Sequence, residues 1–133
     1  MKLLLDTHVW FWALQAPEKL GKTSRAALAD LKNDLHVSPV STLELAQLVS
    51  VGRIELRGTL DAWVRRGMPA LELHSLDLTH PIALLAYALP GDFHKDPADR
   101  MLVATAIHHG LTLVTADERL LAYPHAMVLD ARR

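Results

Sequence analysis

The amino-acid sequence predicts an α/β fold, a single domain in which a central parallel sheet of about five short strands is flanked by helices. The first observation is composition, because 133 residues, 50% hydrophobic and 22% charged, suffice for one globular domain over residues 1–133. The second is order, because short apolar runs alternate along the chain with longer helical patterns. The third is that these runs are continuously apolar, as in strands that are covered on both faces.

The first half of the chain begins with a strand at residues 3–5, an apolar run that Asp6 ends. A helix then starts with Asp6 or Thr7 as its N-cap and ends before Pro17, because proline interrupts helices. The next predicted elements are a helix from Thr23 or Ser24 with Ala27, Leu28 and Leu31 on one face, a strand at residues 35–37 stopped by Pro39, a helix from Ser41 to near Gly52 with Leu45, Leu48 and Val49 as its apolar stripe, and a helix at residues 59–66 closed by Gly67.

The second half of the chain contains the clearest helix start, the pair Asp96-Pro97. A capping side chain followed by proline at the first helical position is typical of helix N-termini. This helix is expected to run to residue 109, with Gly110 as its terminator. The other predicted elements are a weak strand at residues 71–73, a helix at residues 79–89 ended by Pro90 and Gly91, a strand at residues 112–115, a short helix at residues 117–121 and a last strand at residues 127–129.

The composition excludes several classes of protein. The absence of cysteine rules out a disulfide scaffold, a thiol nucleophile and a cysteine-containing zinc site. Fourteen basic and fifteen acidic side chains give a net charge of −1, so no global positive field attracts nucleic acid or membrane. The apolar run at the N-terminus stops at Asp6, too early for a signal peptide, and the run at residues 9–14 is too short to span a bilayer. We therefore expect a cytoplasmic protein.

Four carboxylates lie at or near predicted strand ends. They are Asp6 after the first strand, Glu44 in the first turn of the helix after the second, Asp99 in the first turn of the helix before the strand at residues 112–115, and Asp117 directly after that strand. In a parallel sheet all four can face the same edge. Crowded carboxylates repel one another and need a cation, and oxygen ligands suit Mg²⁺ or Mn²⁺. Such an ion activates water and shields a phosphate, so this pattern points to phosphodiester hydrolysis.

Each acid also has a purely structural interpretation. Glu44 can complete a capping box with Ser41, in which each side chain bonds the other residue's backbone N–H. Asp99 is favoured by the helix dipole in any first turn, and Asp117 can simply cap the short helix that follows it. Asp6 is harder to explain structurally, because aspartate is depleted in strands and this one closes an apolar run.

Four short motifs follow one another along the chain. They are residues 4–9 (LLDTHV), residues 41–45 (STLEL), residues 96–100 (DPADR) together with residues 104–106 (ATA), and residues 113–117 (LVTAD). In this order and at this spacing they resemble PIN-domain proteins, and in particular the VapC-type toxins of bacterial toxin–antitoxin pairs. The resemblance covers nearly the whole chain, and four motifs in register are far more specific than any one of them.

This resemblance implies a five-stranded parallel sheet and a Mg²⁺-dependent endoribonuclease directed at structured cellular RNA. It also implies inhibition by a small antitoxin whose tail lies across the active site. Carried over residue by residue, Asp6 and Asp99 match the principal metal ligands of the family. Glu44 and Asp117 match the supporting acids, and Thr115 matches the hydroxyl residue beside the last acid.

Two positions depart from the family pattern, and several others are secondary candidates. Ala98 stands where phenylalanine is often found, and Leu120 or Leu121 stands where an aromatic residue is common, which affects the shape of the substrate groove. Thr7 and Asp96 are supporting candidates, because they neighbour the proposed metal ligands in the sequence. Lys95 and Arg100, like His94, can meet a phosphate backbone or simply be solvated surface charges.

The remaining polar and aromatic groups suggest partners. No two of the eight histidines have the spacing that places two ligands on one helix face, which argues against zinc. A basic stretch can line an RNA groove or bind an acidic partner; it comprises Arg53, Arg57, Arg65 and Arg66. Trp10 and Trp12 in the first helix favour packing or a dimer contact over base stacking. We expect a homodimer that also binds an antitoxin.

Two other functions compete with a ribonuclease toxin. A haloacid-dehalogenase-like phosphatase also begins with an aspartate after an apolar strand, but that family needs a second aspartate two residues on, where this chain has His8. A catalytically inactive PIN-like module would only bind RNA or a partner. The four acids argue against such a module, because clustered carboxylates are costly without a cation.

Overall fold

The computed structural model describes residues 1–133, and it contains one sheet of five strands that all run parallel. The strands are β1 (Lys2–Leu5), β2 (Asp34–Val37), β3 (His74–Ser75), β4 (Thr112–Thr115) and β5 (Val128–Asp130). Their order across the sheet is β3-β2-β1-β4-β5. The predicted fold class is thereby confirmed.

Seven helices cover the two faces of this sheet. They are α1 (Thr7–Gln15), α2 (Lys22–Ala29), α3 (Pro39–Ser50), α4 (Leu60–Ala70), α5 (His80–Ala86), α6 (Pro97–His109) and α7 (Glu118–Leu121), with a 3-10 turn at Pro17–Lys19. Successive side chains of β1 enter opposite cores, because side chains alternate along a strand. Leu3 and Leu5 pack with Trp10 and Trp63 on one face, and Leu4 packs on the other face in the cluster that includes Val103. No helix is long and apolar enough to cross a membrane.

The strand order reverses between β1 and β4. From β1 the chain proceeds outward to β2 and β3, and then crosses to the other side of β1 to form β4 and β5. In open parallel sheets a crevice forms at such a point, beyond the carboxyl ends of the two strands. Asp6 follows β1 directly, and Asp117 follows β4 after one residue. The topology therefore directs two of the predicted acids to the same crevice.

Three predicted helix boundaries are confirmed by their caps. The Asp6 carboxylate accepts a hydrogen bond from the Thr7 backbone N–H at 2.7 Å, and helix α1 begins there. The Asp96 carboxylate accepts one from the Asp99 N–H at 3.1 Å at the start of α6. The same helix ends at Gly110, whose φ of 66° lies in the left-handed region that glycine adopts without strain.

Two boundaries in the first half differ from the prediction. Helix α2 covers Lys22–Ala29, so Leu31 lies outside it and is 89% exposed instead of sharing its apolar face. Helix α3 starts at Pro39, with Ser38 as its N-cap, and not at Ser41. Proline is favourable at the first helical position, so Pro39 both stops β2 and opens α3. Ser41 is consequently buried inside the helix.

Gly67 does not close α4, which continues to Ala70. A Cβ at Gly67 would lie 2.7 Å from the Cδ1 of Leu14, so this glycine serves the close approach of α4 to α1. The extension of α4 displaces the third strand, since residues 71–73 form a turn and the pairing with β2 occurs at His74–Ser75.

Helix α5 ends at Ala86 and not at residue 89. The Ala86 carbonyl accepts a hydrogen bond at 3.0 Å from the Arg100 guanidinium, so a side chain of α6 satisfies this helix end. The last strand is shifted by one residue, since β5 spans Val128–Asp130 where residues 127–129 were predicted.

Candidate active site

A cavity of about 470 Å³ opens beyond the carboxyl ends of the strands. The acids that line this cavity are Asp6, Glu44, Asp96, Asp99 and Asp117. The other polar and aromatic side chains of its lining are His8, Trp12, Arg53 and Arg119. The four acids predicted from the sequence therefore face one pocket, with Asp96 as a fifth. We refer to this cavity as the acidic pocket.

Asp6 lies in the acidic pocket with both of its carboxylate oxygens hydrogen-bonded. Its Oδ1 accepts the Thr7 N–H that begins α1, and its Oδ2 accepts the Thr115 hydroxyl at 2.6 Å. Thr115 ends β4, so this hydrogen bond joins the two strands that flank the reversal point. Asp6 is 8% exposed, and burial raises its pKa against the lowering effect of these hydrogen bonds. Thr115 was predicted to be the hydroxyl residue beside the last acid, Asp117. In the structure its hydroxyl also bonds Asp6.

Asp99 faces Asp6 from the first turn of α6 and is 6% exposed. Its Oδ2 lies 2.7 Å from the His94 Nε2 and 3.5 Å from the Arg119 guanidinium. These contacts involve Oδ2, so Oδ1 remains without a side-chain partner. Burial raises the pKa of Asp99, and the neighbouring carboxylates raise it further, while the hydrogen bond to His94 acts in the opposite direction.

Glu44 reaches the acidic pocket from the second turn of α3, because that helix starts earlier than predicted. Its Oε1 accepts a hydrogen bond from the Thr7 hydroxyl, which also lies 3.0 Å from the Ser41 hydroxyl. The capping box between Ser41 and Glu44 is therefore absent, since Ser41 is no longer the N-cap. Burial and the charges of Asp6 and Asp99 raise the pKa of Glu44.

Asp117 is both the N-cap of α7 and a lining residue of the acidic pocket. Its Oδ1 accepts the Arg119 backbone N–H at 2.8 Å, as the N-cap of α7. The Arg119 guanidinium also bonds this carboxylate, with 3.2 Å between Nη2 and Oδ2. Partial burial acts to raise the pKa of Asp117, but the hydrogen bonds from Arg119 hold it below its usual value. Asp117 therefore carries its negative charge over a wider pH range than Asp6, Glu44 and Asp99, whose pKa values are raised.

Arg119 and the contact between His94 and Asp99 are not among the predicted features of the site. The signal for Arg119 is local, because an N-cap at Asp117 places the residue two positions later in the same helical turn. His94 is predicted as a phosphate contact or a solvated surface charge, and neither prediction includes the contact with Asp99. Its ring stacks on Phe93 with 4.4 Å between centroids, and this orients Nε2 toward Asp99.

The two predicted substrate contacts lie outside the acidic pocket. Lys95 is exposed and does not line the cavity. Arg100 donates to the carbonyls of Ala86, Phe93 and His94 at 2.9–3.0 Å. Three of the five N–H groups of its guanidinium are thus occupied by the backbone. This contact set gives Arg100 a role in holding residues 93 and 94.

The aromatic and basic candidates divide between two surfaces. Trp10 is fully buried and packs on Trp63 with 5.0 Å between ring centroids, whereas Trp12 lines the acidic pocket. The four arginines of the basic stretch lie in three places. Arg53 lines the acidic pocket, whereas Arg57 and Arg66 line a second cavity between α1 and α4. Arg65 forms an ion pair with Asp61 at 2.9 Å. Packing is therefore confirmed for Trp10, and Trp12 packs partly buried against the same core cluster while it also lines the acidic pocket.

The donor set of the acidic pocket fits a hard divalent cation. No group of three or more His, Asp and Glu side chains is arranged to hold one metal ion. Mg²⁺, however, is commonly bound through only one or two carboxylates, and water completes its coordination. Asp6 and Asp99 fit this pattern, because both are buried carboxylates that line one pocket, and burial raises the pKa of each.

Comparison with known proteins gives concordant matches. The family model described as PIN domain matches residues 3–126. Ribonuclease VapC22 of Mycobacterium tuberculosis is 37% identical over 123 residues, which is 92% of each chain. Similar solved structures include VapBC2 from Rickettsia felis bound to a promoter DNA fragment, with a TM-score of 0.68, 16% identity and coverage of 97% of this chain and 98% of that one. Another is FitAcB from Neisseria gonorrhoeae, with a TM-score of 0.66, 22% identity and 97% coverage of both chains.

Proposed function

The chain belongs to the PIN-domain family and is a homologue of a VapC ribonuclease, and we propose that it is a Mg²⁺-dependent endoribonuclease, the toxin of a toxin–antitoxin pair. Family membership excludes the haloacid-dehalogenase-like alternative. The observation that supports catalysis, as opposed to an inactive binding module, is the pair Asp6 and Asp99. Both carboxylates are over nine-tenths buried in one pocket, and a protein without a cation to bind would pay for them in stability.

In this proposal each acid has a separate task. Asp6 and Asp99 would hold a divalent ion, which would supply Lewis-acid activation of a water and shielding of the phosphate charge. Thr115 and His94 fix the orientation of these two carboxylates. Asp117 adds a fourth carboxylate, whose pKa Arg119 holds below its usual value.

Glu44 is the proton acceptor in this scheme. The Thr7 hydroxyl occupies its Oε1, so Oε2 is free to take a proton from the attacking water. Its raised pKa makes the carboxylate a stronger base than an exposed glutamate, as general base catalysis near neutral pH requires. Thr7 is therefore a supporting residue that orients the base.

The partners follow from the same proposal. The substrate is structured cellular RNA, which places the activity in the cytoplasm. A similar structure from Klebsiella pneumoniae is described as a toxin–antitoxin complex, and VapBC-5 from Mycobacterium tuberculosis is described as a member of the VapBC family of toxin–antitoxin systems. We propose that this chain likewise binds a cognate antitoxin and forms a homodimer.

Metal-dependent cleavage of RNA tests the proposal. Purified protein should cut a pool of structured cellular RNA with Mg²⁺ or Mn²⁺, and cleavage should stop when a chelator is added. The Glu118→Gln variant is a matched control, because this exposed acid neighbours Asp117 but does not line the acidic pocket. An Asp6→Asn protein, purified in parallel, shows whether a contaminating nuclease is present. If that protein does not cleave RNA, cleavage by the wild type that persists in chelator would contradict the mechanism.

A further inference from the structure

We propose that Arg119 is the exchangeable cation of the acidic pocket, which offsets the charges of Asp99 and Asp117 in the metal-free protein and competes with a metal ion for Asp99. The inference rests on the proposed function, because it assumes that the ion binds at Asp6 and Asp99. It adds a residue that sets the affinity of the site for metal.

The position of Arg119 carries this inference. Its Nη2 lies 3.2 Å from the Asp117 Oδ2 and 3.5 Å from the Asp99 Oδ2, and its Nε lies 3.4 Å from the Asp117 Oδ1. The two carboxylates come from different helices, since Asp117 caps α7 and Asp99 lies in the first turn of α6. Arg119 therefore bridges two acids across the mouth of the acidic pocket.

The bridge offsets the repulsion between the carboxylates of the acidic pocket. Five carboxylates line the acidic pocket, and their mutual repulsion must be offset while no metal is bound. Arg53 also lines the pocket but makes no ion pair with these acids, so Arg119 supplies the direct ionic compensation, and His94 adds a contact of 2.7 Å to Asp99. An arginine stays charged at every physiological pH, so this compensation does not depend on protonation.

The bridge is also easy to open. The Arg119 side chain is 58% exposed, and the contact to Asp99 is the longer of its two ion pairs. An exposed guanidinium can leave a carboxylate at modest cost, because water solvates both groups when they separate. A divalent ion with its higher charge density can therefore displace the guanidinium from Asp99 while Arg119 keeps its hydrogen bonds to Asp117.

Two opposite effects follow when the bridge is removed. An Arg119→Gln variant loses the competitor for Asp99, so it should bind a metal ion more tightly than the wild type. The same variant leaves the acids uncompensated in chelator, so the metal-free protein should unfold at a lower temperature. An arginine with a merely structural role would lower the unfolding temperature without tightening metal binding.

The experiment is a Mn²⁺ titration at neutral pH, followed by electron paramagnetic resonance of the free ion, together with thermal unfolding in chelator and in Mn²⁺. Arg119→Gln should bind Mn²⁺ about three- to tenfold more tightly than the wild type. Arg119→Lys, which keeps the charge, should fall between them. Arg132→Gln is the matched control, because Arg132 pairs with Glu118 at 2.8 Å and with Asp130 at 3.0 Å and does not line the acidic pocket.

The outcomes separate this inference from the proposed function. Equal or weaker Mn²⁺ binding by Arg119→Gln, with binding by the wild type intact, would overturn the role of Arg119 and leave the proposed function standing. An unfolding temperature in chelator that Arg119→Gln does not lower would overturn it as well. If none of the four proteins bound Mn²⁺, both the metal-dependent mechanism and this inference would fail.

Discussion

At the scale of single residues, two neighbouring acids of α6 have different tasks. The Asp96 carboxylate accepts the Asp99 backbone N–H, so it is engaged as the helix cap although it also lines the acidic pocket. The Asp99 side chain makes no capping bond and points to His94 and Arg119. Pro97 at the first helical position fixes this division, because it determines which of the two acids is the N-cap.

Paired asparagine variants test this division. Asp96→Asn should retain the cap and most of the cleavage activity, since asparagine caps about as well as aspartate, whereas Asp96→Ala should cost about 1 kcal/mol of unfolding free energy. Asp99→Asn should fold and abolish metal-dependent cleavage and toxicity. The measurements are RNA cleavage with Mg²⁺ and chemical unfolding. An inactive Asp96→Asn beside an active Asp99→Asn would reverse our assignment of the metal ligand.

The same Asp99→Asn protein carries a prediction about pH. Because folding raises the pKa of Asp99, the folded state binds its proton more strongly than the unfolded state, and ionisation of the group weakens the fold. In chelator, Asp99→Asn should therefore be more stable than the wild type at neutral pH. This advantage should vanish below the ordinary pKa of a carboxyl, where Asp99 is protonated in both states. Unfolding curves at the two pH values check the sign, and an Asp99→Asn protein that is less stable at neutral pH would contradict it.

Residue-level patterns predicted the carboxylates better than their partners. Asp6, Asp99 and Asp117 were accessible to sequence reasoning, because each stands at a strand end or a helix start whose local signals are strong. The contacts of Arg119 and His94 with Asp99 depend on how α7 and the segment before α6 lie against each other. No local pattern encodes that packing, so these contacts were beyond prediction.

At the scale of elements, residues 90–95 form a segment that α6 holds in place. Arg100 bonds the carbonyls of Phe93 and His94, and its guanidinium lies 5.5 Å from the centre of the Phe93 ring. The Tyr123 hydroxyl bonds the Pro90 carbonyl at 2.6 Å and anchors the other end. This framework positions His94 against Asp99, so the segment links α5 to the acidic pocket.

Substitution of Arg100 tests this framework. Arg100→Gln leaves three carbonyls without their charged donor and should cost about 2 kcal/mol of unfolding free energy. It should also lower cleavage, because His94 loses its support. Lys95→Gln is the control, since this exposed neighbour should leave stability unchanged. Chemical unfolding and cleavage at saturating RNA provide the two measurements. Unchanged stability of Arg100→Gln, with RNA affinity reduced, would instead favour the substrate contact suggested by the sequence.

Element types were predictable and element ends were less so. The apolar runs and the Asp96-Pro97 signal identify β1, β4 and α6, because their local preferences agree with their tertiary positions. At Gly67 the usual helix-stop interpretation failed, because the tertiary approach of α4 to Leu14 requires a residue without a side chain. At Ser41 the error arose because Pro39 can end a strand and begin a helix at once.

At the scale of the whole molecule, charge is distributed between two cavities. The acidic pocket lies at the carboxyl ends of the strands, and a second cavity of about 480 Å³ lies between α1 and α4. Arg57 and Arg66 line the second cavity together with Trp63. The indole Nε1 of Trp63, like that of Trp10 behind it, is buried without a hydrogen-bond partner. Glu55 is the one acid of the lining, so the two arginines leave this cavity with a net positive charge beside an apolar floor. Such a site suits an acidic segment with an apolar anchor.

We expect the cognate antitoxin to bind at this second cavity. Arg57→Ala and Arg66→Ala should each weaken antitoxin binding by roughly tenfold, mainly through faster dissociation, because each removes a charge that faces the partner. Arg65→Ala should bind normally, since Arg65 is paired with Asp61 and does not line the cavity. Calorimetric titration of the toxin with antitoxin gives the affinities, and RNA cleavage by the free variants should match the wild type because Arg57 and Arg66 lie outside the acidic pocket. Light scattering of the isolated toxin should show a homodimer, and a monomer at high concentration would refute that part. Equal antitoxin affinity for the Arg57, Arg65 and Arg66 variants and the wild type would place the partner on another face of the molecule.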